Sequence, residues 1–148
     1  MRSTGGSRGT FSISAILLLL TLAVASAIGE EGKASGPLDG KTFVVVTGEK
    51  GKQAKETDTL IFQDGKFRST ACDEFGFGEA PYAAAADGDA VKFTADAKSE
   101  KKGTIHWEGT VRGDKIDATY VWTDRAHWYK PNPKPVEKWA KGERKKSM

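Results

Sequence analysis

The sequence predicts an all-β chain, most simply a small antiparallel eight-stranded up-and-down barrel. Three observations carry that prediction. Short runs alternate apolar and polar residues with period two, Gly- and Asp-containing turns separate them, and beyond the first 27 residues no strong apolar stripe has helical spacing. The turns are explicit in "TLIFQDGKFRS", "YAAAADGDAVKF" and "WEGTVRGDKIDATYVW", where Asp64-Gly65, Asp87-Gly88 and Gly113-Asp114 separate paired runs. Tight hairpins need positive φ, which Gly adopts without steric cost and Asp tolerates.

Residues 1–27 read as an export signal. Arg2 and Arg8 precede the apolar core "AILLLLTLAVA", which ends at the small-residue cleavage site Ala25-Ser26-Ala27. That core is shorter than the about 20 residues a membrane helix needs. The expected product is therefore secreted or periplasmic, with no stable membrane insertion once the signal is removed. Residues 28–38, "IGEEGKASGPL", are small, polar and unpatterned, and are expected to form a flexible leader. The barrel domain is expected over 39–142 and a basic tail over 143–148.

Eight strands are expected at about 41–47, 58–63, 66–71, 80–86, 89–97, 103–112, 115–123 and 135–141; a weak helical pattern near Pro135 to Lys146 competes with the last. Parity assigns the faces. Val91, Phe93, Ala95 and Ala97 share one face with Ile105, Trp107, Gly109 and Val111, and with Ile116, Ala118, Tyr120 and Trp122. Lys92, Thr94, Asp96, His106, Glu108, Arg112, Asp117 and Thr119 take the other. Strands with one wet and one apolar face are satisfied by a sheet closed on itself, which removes unpaired edges, or by a two-sheet β-sandwich. An interior that mixes rings with Ala and Gly is either filled by side chains or holds one small ligand.

Charge is unevenly spread. Residues 130–148 hold seven Lys/Arg against two Glu, while residues 28–129 hold fourteen against eighteen Asp/Glu. The barrel body is thus mildly acidic and has no nucleic-acid footprint.

The single cysteine, Cys72, lies in "STACDEFGFGEAPY". If the third strand ran straight, Cys72 would share the outward parity of Arg68 and Thr70. Its residue type argues for cover, beneath a loop that folds Phe75 and Phe77 back over a barrel end. A reactive thiol would need a cationic partner, for which Arg68 is nearest by parity. His106, His127 and Cys72 supply metal-ligand types but no recognised metal spacing, so no metal and no cofactor are expected. The chain contains no phosphate loop, nucleotide fingerprint, zinc-protease helix or serine-nucleophile elbow, and no catalytic residue is assigned. In "TDRAHWYKPNPKPVEKW", Pro131, Pro133 and Pro135 stiffen a connection preceded by His127, Trp128 and Tyr129.

The stretches "DGKFRSTACDEFGFGEAPY" and "WEGTVRGDKIDATYVW" resemble small exported bacterial proteins of uncharacterised function. The hairpin pattern over residues 39–142 is similar to lipocalin-like (calycin) barrels, although "LDGKTFVVV" has Phe43 where that family usually carries a Trp. The resemblance agrees with a barrel and transfers no catalytic residues. The functional expectation is a non-enzymatic exported barrel that binds a small apolar or amphipathic molecule. Phe93, Trp107, Tyr120 and Trp122 would line its interior, with Phe75, Phe77, Trp128 and Tyr129 at a mouth. The alternative is a filled barrel acting as a structural or interaction protein of the cell envelope. The oligomeric state is left open.

Overall fold

The computed structural model describes residues 36–147. The expected signal at 1–27 and leader residues 28–35 lie outside them. The strands are β1 (Lys41–Glu49), β2 (Glu56–Gln63), β3 (Lys66–Ser69), β4 (Glu79–Asp87), β5 (Ala90–Ser99), β6 (Gly103–Arg112), β7 (Lys115–Thr123) and β8 (Val136–Arg144), and one helical turn, α1 (Thr70–Asp73), follows β3. Each strand pairs antiparallel with the next, and β8 returns to β1 with Val45 opposite Gly142. The sheet is a closed eight-stranded up-and-down barrel, which disposes of the sandwich.

The hairpins follow from backbone sterics. Asp64 (φ 52°) and Gly65 (φ 72°) are both left-handed, as a type I′ turn requires. At the other two hairpins the central pairs are Gly88-Asp89 and Gly113-Asp114, and only the glycine has positive φ, the type II′ pattern. The second turn is therefore centred one residue later than Asp87-Gly88. These three hairpins lie at one end of the barrel; the connections 50–55, 70–78, 100–102 and 124–135 lie at the other, hereafter the mouth.

Alternation predicts the faces well. Phe93, Ala95, Ala97, Ile105, Trp107, Val111, Ile116, Ala118 and Tyr120 are buried, whereas Lys92, Thr94, Asp96, Glu108, Arg112, Asp117 and Thr119 are exposed. A column of rings fills the axis. Tyr82 packs edge-on to Phe62 (5.1 Å between centroids), Phe62 meets Phe67 (5.2 Å) and Phe93 (4.9 Å), Phe67 meets Trp107 (5.0 Å), and Trp107 stacks on Tyr120 at 4.0 Å. Gly109 makes room for it, since a Cβ there would lie 2.5 Å from Phe93.

The structure differs from expectation in three places. Leu38, assigned to the leader, is fully buried and plugs the hairpin end. Its neighbour Asp39 holds it there, accepting hydrogen bonds from Tyr82 Oη (2.7 Å) and the Gly65 and Gly36 amides. Tail residues 143 and 144 belong to β8, whose pairing with β1 continues to Arg144 opposite Phe43; no helix forms there. Finally, β3 ends at Ser69 rather than near residue 71, because the chain turns into α1. Among the described residues no helix is long and apolar enough to cross a membrane.

Candidate functional site

The mouth is organised around a carboxylate. Asp58 has the inward parity of Leu60 and Phe62 on β2, and is buried where the barrel opens. Burying a charge is costly unless donors surround it. Asp58 meets that condition by collecting Ser69 Oγ (2.5 Å), the Ala71 amide (2.9 Å), Thr70 Oγ1 (3.2 Å) and the Thr59 amide (2.6 Å). These bonds stop β3 and start α1, because free amides at the beginning of a helical turn are satisfied by an acceptor. On the far side of the turn, Arg68 clasps Asp73 (2.6 Å).

After α1 the chain must reverse over the opening. Gly76 (φ 81°) and Gly78 (φ 57°) permit the reversal, and Ser99 Oγ ties it down by donating to the Phe75 carbonyl (2.7 Å). Phe77 is tucked into the core, and Phe75 stays 46% exposed. The helical turn also swings Cys72 inward to a half-buried position against the core, which corrects the outward direction that a straight strand would give. Burial pushes the Cys72 thiol above its usual pKa, and the negative charge of Asp58 adds to that. Arg68 is committed to Asp73 and does not activate the thiol.

Between this loop and the end of the ring column lies a cavity of about 170 Å³. Buried Thr47, Asp58, Phe77, Ile105 and Tyr120 form its deeper part. Half-buried Cys72 and Trp122 flank it, and Phe75, Glu56, Lys102 and Lys138 stand at the rim. Trp122 is fixed by donating its indole N–H to the Lys102 carbonyl (2.8 Å). Burial raises the Tyr120 hydroxyl to about pKa 12, against the lowering effect of its bond with Thr47. The hydroxyl therefore remains a neutral donor and acceptor.

Of the eight expected ligand-contacting residues, Phe75, Phe77, Tyr120 and Trp122 meet at this cavity. Phe93 and Trp107 do not line it, because they are packed into the filled axis below. Trp128 and Tyr129 stand on the same end of the barrel but outside the cavity, 93% and 67% exposed. Sequence reasoning missed Thr47 and Asp58, although both have inward parity on their strands. Larger hollows of about 1120 Å³ and 610 Å³ are open troughs on the outer wall, the first lined largely by polar and charged side chains such as Glu108, Lys115 and Asp117 and the second by Ala80, Pro81, Tyr82 and Ala83 beside Thr94, Asp96 and Lys98. Their openness to solvent makes them poor enclosures.

Compared with known proteins, the chain matches no family model, no curated protein and no solved structure. The chemistry of the mouth must therefore carry the argument. Both Asp58 oxygens are already engaged by donors, the Cys72 thiol is held in its neutral form, and His106 lies on the outer wall between Asp96 (2.6 Å) and Glu108 (3.2 Å). Among the described residues no group of three or more His, Cys, Asp or Glu is arranged to hold a metal ion. The arrangement can enclose a small apolar body and hydrogen-bond its polar end.

Proposed function

We propose that this chain is an exported, non-enzymatic barrel that binds one small amphipathic molecule at its mouth. The observation that carries the reading is the 170 Å³ cavity above Tyr120, in which Phe75, Phe77, Ile105 and Trp122 face the polar Thr47 and Asp58, with Glu56, Lys102 and Lys138 at the rim. A cavity of roughly 150 Å³ accommodates a benzene-sized ring. The bound portion is therefore a single ring or a short alkyl segment, rather than a whole lipid threaded down the axis. Its apolar part packs against Phe75, Phe77, Ile105 and Trp122, and its polar end lies toward the rim lysines.

Cys72 supplies a local test, since an occupant of the cavity would shield it. Titration with one-ring aromatic acids and short-chain fatty acids should slow alkylation of Cys72 saturably and shift Trp122 and Tyr120 resonances. Unchanged alkylation and unchanged resonances across such a panel would remove the binding reading. The filled axis would then favour the second reading, a structural or interaction protein of the envelope.

A further inference from the structure

We infer that the mouth end of the barrel docks peripherally on an anionic lipid bilayer. All three exposed large aromatic residues of the described chain, Phe75, Trp128 and Tyr129, stand on mouth loops, and none is at the hairpin end. Trp128 and Tyr129 are displayed rather than dangling. Reciprocal backbone bonds between His127 and Lys130 (3.0 and 2.9 Å) make them the central pair of a tight turn. The His127 ring stacks on Tyr129 at 5.1 Å, and Trp128 meets Tyr129 edge-on at 5.6 Å. A turn braced in this way pays no ordering cost when its rings enter an interface, and Trp and Tyr favour the headgroup level of bilayers.

Lysines on the same end agree. The four mouth loops carry Lys50, Lys52, Lys55, Lys101, Lys102, Arg125, Lys130 and Lys134 against Asp73, Glu74, Glu100 and Asp124, with Glu49, Glu56, Glu79 and Glu137 on the adjoining strand ends. Lys50 pairs with Glu137, Lys52 with Glu49 and Lys130 with Asp124. Among the described residues Lys55, Lys101 and Lys134 form no ion pair, and so remain available to anionic headgroups. The hairpin end mixes the turn acids Asp39, Asp64, Asp89 and Asp114 with Lys41, Lys66, Arg112, Lys115 and the basic Arg144-Lys145 segment, so what distinguishes the mouth is its exposed rings. A neutral glycan would gain no charge–charge attraction from the lysines, and the perpendicular Trp128–Tyr129 pair (87°) offers no shared flat face for sugar stacking. Docking does not depend on the cavity being filled.

The test reads Trp128 alone, so that other membrane-active parts of the full chain do not interfere. Vesicles of phosphatidylcholine with or without phosphatidylglycerol are prepared with brominated acyl chains, and quenching is taken as the difference between the wild-type chain and Trp128→Phe. Quenching assigned to Trp128 should appear on the anionic vesicles and fade as salt is raised. Each of Lys101→Gln and Lys134→Gln should lower partitioning roughly fivefold. Absence of a Trp128-specific signal, or equal signals on zwitterionic and anionic vesicles, would overturn the inference. So would a saturable Trp128 emission shift with dextran sulfate in the absence of lipid, which would mark a polysaccharide site instead.

Discussion

Replacing Asp58 with alanine tests whether one buried carboxylate builds the mouth. The substitution leaves Ser69 Oγ and the Ala71 and Thr59 amides without this acceptor; Thr70 Oγ1 is also released, but it is exposed and water replaces the loss. Hydrogen bonds to a charged group contribute about 1.5–3 kcal/mol each. The adjoining cavity admits water to part of the site, so the buried Ser69 bond and the part-buried Ala71 bond together should cost about 3 kcal/mol, near the lower end of their sum. For a domain of this size that corresponds to a fall in Tm of roughly 10 °C. Local damage should exceed global damage, because α1 begins on this carboxylate. Thiol modification of Cys72 under native conditions should therefore accelerate by about tenfold or more, as expected when local opening costs 1–2 kcal/mol less. Asp58→Asn removes the same charge while keeping a carbonyl acceptor, so the excess rate in Asp58→Ala reports loosening of α1 rather than a change in thiol ionisation. If Asp58→Ala melted within 2 °C of the wild type, on the order of 0.5 kcal/mol, and left Cys72 equally slow, the proposed role of Asp58 would be wrong.

Three further outcomes are expected. Trp107→Ala opens the middle of the ring column and should cost about 3–5 kcal/mol in urea unfolding; a loss below 1 kcal/mol would mean the axis is not packed as described. Gly142→Ala places a Cβ against the Val44 carbonyl and the Val45 backbone where β8 closes on β1. The obstruction is backbone, not a movable side chain, so about 3 kcal/mol of stability should be lost and amide exchange should quicken first along β1 and β8. His106 has its pKa raised by hydrogen bonds to Asp96 and Glu108. Its contribution is fully present below the unfolded imidazole value of about 6.5 and is lost as pH rises through the folded value. The stability advantage of wild type over His106→Gln should accordingly be greatest near pH 5.5 and vanish in alkaline buffer, and a pH-independent difference would contradict the pairing.

Much of the barrel was legible because each strand has one wet and one apolar side, so that Phe93/Lys92 or Trp107/Glu108 reveal face and register locally. The turns were legible from their glycines: Asp64-Gly65 is a left-handed pair, whereas at Gly88 and Gly113 only the glycine is left-handed, which is why the second turn sits one residue later than Asp-Gly suggests. The mouth was not. The end of β3 is decided by Asp58, eleven to thirteen residues earlier in the chain, and no local pattern near Ser69 contains that information. Likewise, parity places Phe93, Trp107, Tyr120 and Trp122 on one inner wall but does not say which rings touch. Phe62 and Phe67, arriving from two other strands, fill the space around Phe93 and Trp107 and confine the cavity to the region beyond Tyr120. Leu38 was misread because a single apolar residue in a polar stretch carries no period.

The pairing of β8 with β1 bears on when this barrel can form. Until Val136–Arg144 is available, the other seven strands are an open sheet with β1 and β7 as unpaired borders, and the contact that joins them spans nearly the whole described chain. Such long-range closure is slow compared with hairpin formation. A chain emerging from its N-terminus thus closes its barrel only after its last strand has been delivered.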